Sequence, residues 1–241
     1  MTAIILAAGV GKRLLDASGG KPKCLIRIGG RSLLERLLRQ LAGAGMAEAV
    51  VVVGFGADIV RGEIGAGPDG IRVTFIDNPR FREGAILSLW SAQAALAGPV
   101  LIMDADVLCE QEMIDRLVRT AHDNCFLLDA TSSNTGEEQM LLVRDGRVLD
   151  IIRGGAPGYQ LMGESVGFLK LSRAAVQLLR QLLAARIDAG HTGIEHEEVY
   201  PDLLARVTVG FERADDLAWT EIDFPGDVTR AEREILPRIG D

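Results

Sequence analysis

The chain has 241 residues, 48% of them hydrophobic and 25% charged, which places it among globular proteins long enough to bury a core without disulfide or metal staples. Its net charge of −8 weighs against a polyanionic partner such as nucleic acid; an acidic chain that handles phosphates must concentrate Lys and Arg locally and bring a cation. Cys24, Cys109 and Cys125 are odd in number, scattered and without zinc spacing, so they read as reduced thiols of a cytoplasmic protein. No apolar run reaches the length of a membrane span, so membrane insertion is not expected, and the opening Met1-Thr2-Ala3-Ile4-Ile5-Leu6 reads as a first strand instead of a leader.

Residues 2–8 form a short apolar run, a buried strand. Leu33, Leu34, Leu37, Leu38 and Leu41 recur at helical spacing, so 32–42 is a helix with Ser32 as N-cap. The unbroken apolar run 49–53 fits a central parallel strand covered on both faces. A helix over 58–64, a strand over 71–76, a helix over 86–96, a strand over 100–103, a helix over 111–121 and a strand over 126–129 follow. This alternation predicts a doubly wound, mostly parallel α/β sheet. The pattern then changes. Strands 139–143 and 147–152 flank the turn Arg144-Asp145-Gly146, followed by a strand over 165–171, helices over 173–186 and 197–204, a strand over 208–212 and a final helix over 228–236. The loops 65–70 and 154–159 are rich in Gly and Pro. The expectation is one domain over 1–241: a nucleotide-binding core (1–130), an acceptor-binding region with a small inserted β-rich lid (131–218), and a metal-binding segment with a C-terminal helix (219–241).

After the first strand stands Leu6-Ala7-Ala8-Gly9-Val10-Gly11-Lys12-Arg13-Leu14. Small residues let backbone N–H groups approach a phosphate, and Lys12 and Arg13 add charge. A P-loop would need Gly and Ser/Thr where Leu6 and Arg13 stand; a dinucleotide fingerprint would need a third Gly at Leu14. Both fail, and alone the loop is equally an ordinary strand-to-helix turn. Lys21-Pro22-Lys23 adds two lysines beside a stiff proline. An ammonium fixed there suits phosphoryl transfer, the alternative being a solvated basic loop.

The strand over 100–103 runs into Met103-Asp104-Ala105-Asp106, placing two acids at the carboxyl end of a buried strand, where open α/β sheets bind ligands. Alternation would turn Asp104 and Asp106 to one face. Two such carboxylates repel unless neutralised, and Mg²⁺ does this while bridging to phosphate. A capping role for Asp106 is the alternative. Glu221-Ile222-Asp223 repeats the arrangement near the C-terminus.

The pattern Leu-Ala-Ala-Gly-x-Gly-x-Arg…Lys-Pro-Lys-x-Leu resembles the signature of the sugar nucleotidyltransferase (MobA-like) superfamily. Asn78-Pro79-Arg80-Phe81 with Ile86-Leu87-Ser88-Leu89, and Trp219-Thr220-Glu221-Ile222-Asp223 with Asp227 and Ala231-Glu232, are similar to stretches of its phosphocholine/2-aminoethylphosphonate cytidylyltransferase branch. The chain departs from that branch at Glu83-Gly84-Ala85, where relatives are Asn-rich. The resemblance implies that Lys23 contacts the α-phosphate and Arg13 the outgoing phosphates. Leu6, Ala7, Ala8, Gly9, Val10, Gly11 and Lys12 would cradle CTP, with Ser88 near the base or ribose and Asp104 in the nucleotide-binding set. Asp106 and Asp223 would hold Mg²⁺. On the acceptor side it implies Glu164 and Glu197, with Trp219.

Glu138, Glu164, Glu197 and Glu198 with Tyr159, Tyr200 and Trp219 offer carboxylates and a few aromatic faces to a cationic amine; the alternative for any one of these glutamates is a solvated helix face, and Glu197 and Glu198 read equally well that way. Aromatics are 5% of the chain, a thin supply for a cage around a trimethylated amine, which favours a primary amine as in 2-aminoethylphosphonate. His122, His191 and His196 show no metal or triad spacing and read as surface or helix-end residues. The expected reaction is CMP transfer from CTP to a small phosphate or phosphonate with release of pyrophosphate. The rival readings are a sugar-, inositol- or glycerol-phosphate nucleotidyltransferase, a catalytically silent nucleotide-sensing domain, and an NAD-binding protein, the last disfavoured by the missing glycine. A homodimer is the default expectation for assembly.

Overall fold

The computed structural model describes residues 1–15 and 19–239. Strand β1 (Thr2–Ala7) leads into the glycine loop, a short β2–β3 hairpin (Arg27–Ile28, Arg31–Ser32) and α1 (Leu33–Gly43). Then come β4 (Glu48–Val53), α2 (Ala57–Ile64), β5 (Arg72–Asp77), α3 (Ile86–Ser91), β6 (Val100–Asp104), β7 (Val107–Cys109), α4 (Gln111–Arg119) and β8 (Cys125–Asp129). The second half holds β9 (Gln139–Arg144), β10 (Arg147–Arg153), β11 (Leu161–Leu171), α5 (Arg173–Asp188), α6 (Tyr200–Leu204), β12 (Gly210–Arg213), β13 (Trp219–Glu221), α7 (Pro225–Arg230) and α8 (Leu236–Ile239).

Strands β6, β1, β4 and β5 are neighbours in that order and run parallel. The long β11 pairs antiparallel with β6 at one end and β9 at the other, with β8 along its opposite edge. The hairpin β9–β10 thereby extends the main sheet, in the order β10-β9-β11-β6-β1-β4-β5. Alternation along the buried strands sorts side chains onto two faces. Ala3, Ile5, Val51, Leu101 and Met103 meet the leucines of α1 and Met113, Ile114 and Leu117 of α4; Ile4, Val52, Val100 and Ile102 meet Ile86 and Leu89 of α3 and Val176, Leu179 and Leu183 of α5. Helices therefore cover both faces of a doubly wound sheet, and its strand ends are left for ligands.

The predicted Ser32 cap is present: its Oγ accepts the Glu35 N–H at 3.3 Å. Other expectations shift. The helix expected over 86–96 keeps α-geometry only to Ser91, whose hydroxyl donates to the Leu87 carbonyl; tight turns follow, with Ala92 N–H on Leu89 O and Ala95 N–H on Ala92 O. The helix expected over 197–204 opens as a tight turn at His196–Val199 before α6, whose first turn carries Pro201. The final helix begins earlier than expected, at Pro225, and passes through a wider turn at Ala231–Ile235. Its Ala231, Val228, Ile235 and Leu236 pack on Leu14, Ile26, Ile28, Leu108 and Ile222. This small third core fastens the C-terminal segment beneath the glycine loop and so sets the position of Asp223.

Candidate active site

At the carboxyl ends of β1, β6 and β8, beside residues 164–167 of the antiparallel β11, lies a cleft of about 1480 Å³. A smaller adjoining depression of about 420 Å³ is lined by Val10, Gly11, Lys12, Arg13, Lys23, Phe81 and Arg82, with Asp223 as its one acid. Four cations around a glycine loop make the depression a receptor for an anion. The expected loop residues divide by facing. Leu6, Ala8 and Gly9 line the cleft and Val10, Gly11 and Lys12 the depression, whereas Ala7 is buried in the core beside α1 and presents no side chain to either.

Lys23 stands at the junction. Its Nζ donates to Asp106 Oδ2 at 2.7 Å and also to Asp223 Oδ1. Gly11 makes this possible: its φ is +58°, and a Cβ there would lie 2.8 Å from Lys23 Cβ. Glycine both enters the left-handed region and lets the lysine stem lie against the loop. Burial pulls the Lys23 ammonium pKa down, but the charges and hydrogen bonds of Asp106 and Asp223 outweigh it, so the group stays above its usual range and fully protonated.

Asp106, Glu221 and Asp223 bring carboxylate oxygens within 4.8 Å of one another. Asp106 Oδ1 is buried and without a hydrogen-bond partner. Glu221 is accessible from the open cleft, yet desolvation within it, then the charges of Asp106 and Asp223, push its carboxyl up to about 9. Three hard oxygen donors, one of them orphaned, fit a divalent cation such as Mg²⁺. Asp223 was expected in this set; Glu221 joins it because β13 pairs with β7, Glu221 opposite Val107.

Asp104 and Asp106 both line the cleft, as expected, but they join different clusters. Strand β6 ends at Asp104 and the chain turns at Ala105 and Asp106, so alternation no longer applies. Asp104 packs beneath Gly167, whose φ of +81° and missing side chain leave room for Asp104 Oδ2. Its neighbours are His196, with Nε2 3.9 Å from Asp104 Oδ1, and Glu197, whose Oε2 lies 3.0 Å from His196 Nδ1. Burial, then Glu197, Asp106 and Glu221, raise the Asp104 carboxyl well above the usual range against the pull of Lys23. His196 thus corrects the expectation of a surface residue: it opens a helical turn but is 6% exposed, whereas His122 and His191 are exposed. A lone histidine beside glutamates carries no spacing signal, so only the fold reveals its place.

Acidic side chains line much of the cleft. Glu164 is raised by burial and accepts from the Ser132 hydroxyl. Trp219 Nε1 donates to Asp129 Oδ2 at 2.8 Å, while Asp129 Oδ1 takes the Thr131 N–H and hydroxyl. Asp129, Glu138 and Glu195 also line the cleft, with Arg153 and Arg230. Of the residues expected on the acceptor side, Glu164 and Trp219 line the cleft with Asp129, whereas Glu197 lines it beside His196 and Asp104; Asp129 was not expected, since it reads locally as a strand-ending turn residue. Ser88 lines the cleft with Ala8 and Ala85. Arg13 spans the mouth, its guanidinium 4.6 Å from the centre of the Phe224 ring and 3.7 Å from Glu137. The three cysteines are buried and unpaired, and burial, the largest influence on each, lifts their thiols to about 12.

A two-faced α/β sheet with a glycine loop, a buried lysine and an acid cluster at its carboxyl edge has the architecture of a nucleotidyltransferase. The chain belongs to the MobA-like NTP transferase domain family, whose model matches residues 3–187. It is 31% identical over 240 residues, 97% of its length, to the bifunctional IPC transferase and DIPP synthase of Rubrobacter xylanophilus. It is 28% identical over 245 residues, 98% of its length, to the CMP-5'-(3-aminopropyl)phosphonate synthase of Streptomyces rubellomurinus. The chain spans 52% and 39% of the lengths of these two relatives. Its fold is similar to that of the CTP:phosphocholine cytidylyltransferase of Streptococcus pneumoniae, with a TM-score of 0.77, 21% identity, and coverage of 96% of this chain and 97% of that one. No helix among the described residues is long and apolar enough to cross a membrane.

Proposed function

We propose that the chain is a Mg²⁺-dependent cytidylyltransferase that moves CMP from CTP onto a small phosphate or phosphonate bearing a primary amine, releasing pyrophosphate. The observation that carries this reading is Lys23, held between Asp106 and Asp223 where the cationic depression meets the cleft. In the reaction, an acceptor phosphonate or phosphate oxygen attacks the α-phosphorus, and the bond from that phosphorus to the pyrophosphate oxygen breaks. The attacking oxygen is anionic at neutral pH, so no general base is needed. Lys23 neutralises charge growing on the α-phosphate, and Arg13, Lys12 and Arg82 hold the departing phosphates. Asp106 and Asp223, with Glu221, would hold Mg²⁺, which supplies further charge neutralisation when bound.

The acceptor choice rests on the acidic lining of the cleft. Glu164, Glu197 and Asp129 present carboxylates to which a primary ammonium can donate hydrogen bonds, and Trp219 is tied to Asp129 instead of forming part of an aromatic cage. Similarity to a relative named for a 3-aminopropylphosphonate product supports the same choice. The test is pyrophosphate release with Mg²⁺, scanning CTP, UTP, ATP and GTP against 2-aminoethylphosphonate, phosphocholine, glycerol phosphate, inositol phosphate and hexose 1-phosphates. Turnover of CTP with the aminophosphonate is the expected result. A higher kcat/KM with phosphocholine or inositol phosphate would overturn the acceptor, and silence across the grid would overturn the activity.

A further inference from the structure

Residue Asn78, which follows β5, is 1% exposed. Its amide orientation is fixed by the backbone: the Arg80 N–H, which can only donate, meets Asn78 Oδ1 at 2.9 Å. The amide nitrogen therefore faces Ser88 and donates to its Oγ at 3.1 Å. Ser88 accepts that bond and keeps its own proton for another partner. In the same helix Ser91 spends its proton on the Leu87 carbonyl at 2.8 Å. Ser88 has no such acceptor among the described residues, and its side chain borders the cleft with Leu6, Ala8 and Ala85.

We infer that Asn78 is a positioning residue, whose amide sets the Ser88 hydroxyl as a hydrogen-bond donor toward the nucleobase, so that the pocket selects a base with an acceptor at that point. Cytosine offers two acceptors, O2 and N3. The inference rests on the reading of the cleft as a nucleotide site. It adds a buried residue that touches neither base nor phosphate, and it gives a polarity to the Ser88 contact. Replacing Asn78 by Asp inverts that polarity at constant shape. The carboxylate still accepts the Arg80 N–H, but it can only accept from Ser88, and the hydroxyl proton turns away from the cleft.

The test is a double-mutant cycle on the full chain with Mg²⁺, reading CTP affinity by calorimetry and kcat and KM by pyrophosphate release, for Asn78→Asp, Ser88→Ala and the pair. Asn78→Asp and Ser88→Ala each raise the CTP Kd roughly tenfold, the size of one lost hydrogen bond. In Asn78→Asp the loss falls on KM while kcat at saturating CTP is kept. On the Ser88→Ala background Asn78→Asp adds less than twofold. Should Asn78→Asp fail to fold, Asn78→Ala serves: it frees the hydroxyl to rotate, weakens CTP binding by a smaller factor, and again adds nothing to Ser88→Ala. Losses that add in full, or a fall in kcat with KM unchanged, overturn the inference. A wild-type chain that binds CTP but gives additive losses sinks this inference alone; a wild-type chain that binds no nucleotide sinks the proposed function with it.

Discussion

Lys23 Nζ and Asp106 Oδ2 are 2.7 Å apart although 83 residues separate them in the chain, and the same ammonium also holds Asp223, 200 residues away. The lysine thus stands among the very carboxylates that suit a divalent cation. Two positive groups cannot share those oxygens without cost, so a divalent cation entering the acid cluster would compete with the ammonium when no triphosphate is present.

Replacing Lys23 therefore has two opposite effects. Lys23→Ala lowers kcat on the order of 10²–10³-fold, the size expected when one preorganised cation at developing charge is removed. In the same variant Mg²⁺ or Mn²⁺ binds the nucleotide-free chain more tightly, because its competitor is gone. Turnover by quenched flow and Mn²⁺ titration by electron paramagnetic resonance read the two effects separately. Wild-type-like turnover would remove Lys23 from the chemistry, and weaker metal binding would remove the competition.

Gly11 is a structural precondition for that lysine. A methyl group there meets Lys23 Cβ at 2.8 Å and must hold φ near +58°. Gly11→Ala is expected to destabilise the chain by about 1–2 kcal/mol and to lower kcat as the ammonium shifts. Thermal unfolding and steady-state kinetics check both. The Gly9→Ala control has open space around its Cβ and should change stability far less.

Much of this was legible before folding was considered. The loop 6–13, Lys23, Asp106 and Asp223 stand in stretches that resemble the nucleotidyltransferase signature, and the buried strands announce themselves by unbroken apolar runs. What was not legible depends on contacts between distant segments. Glu221 enters the acid cluster through the β13–β7 pairing, Asp129 is recruited by Trp219, and His196 is buried by the packing of its turn against Asp104 and Tyr200. The separation of Asp104 from Asp106 was invisible for a related reason: period-2 alternation holds only inside a strand, and β6 stops at Asp104, two residues before Asp106.

Trp219 and Glu164 give an acceptor-specific test. Trp219→Phe keeps the ring and removes the N–H that orients Asp129; Glu164→Gln keeps the shape and removes a charge. Each should raise the KM for the amine-bearing acceptor by roughly tenfold while the KM for CTP stays within about twofold. Initial rates with each substrate varied in turn decide it. Equal increases in both constants would place these residues outside the acceptor subsite.

The raised Glu221 carboxyl makes stability depend on pH in a definite direction. Its ordinary value is 4.5, and in the folded chain it is lifted to about 9 by desolvation and by Asp106 and Asp223. Between those values the unfolded chain has lost a proton that the folded chain keeps, so the folded state binds more protons. Stability from this group is therefore full below about pH 4.5 and is lost as pH rises toward about 9. In Glu221→Gln the proton is no longer at stake. The metal-free variant should gain Tm relative to wild type as the pH is raised from about 5 to 8.5, and the gap should narrow when saturating Mg²⁺ neutralises the acid cluster of the wild type. Differential scanning calorimetry in metal-free and Mg²⁺-loaded buffers gives the curves. A gap that is constant with pH would mean that Glu221 is already ionised at neutrality, with Lys23 alone balancing the three acids.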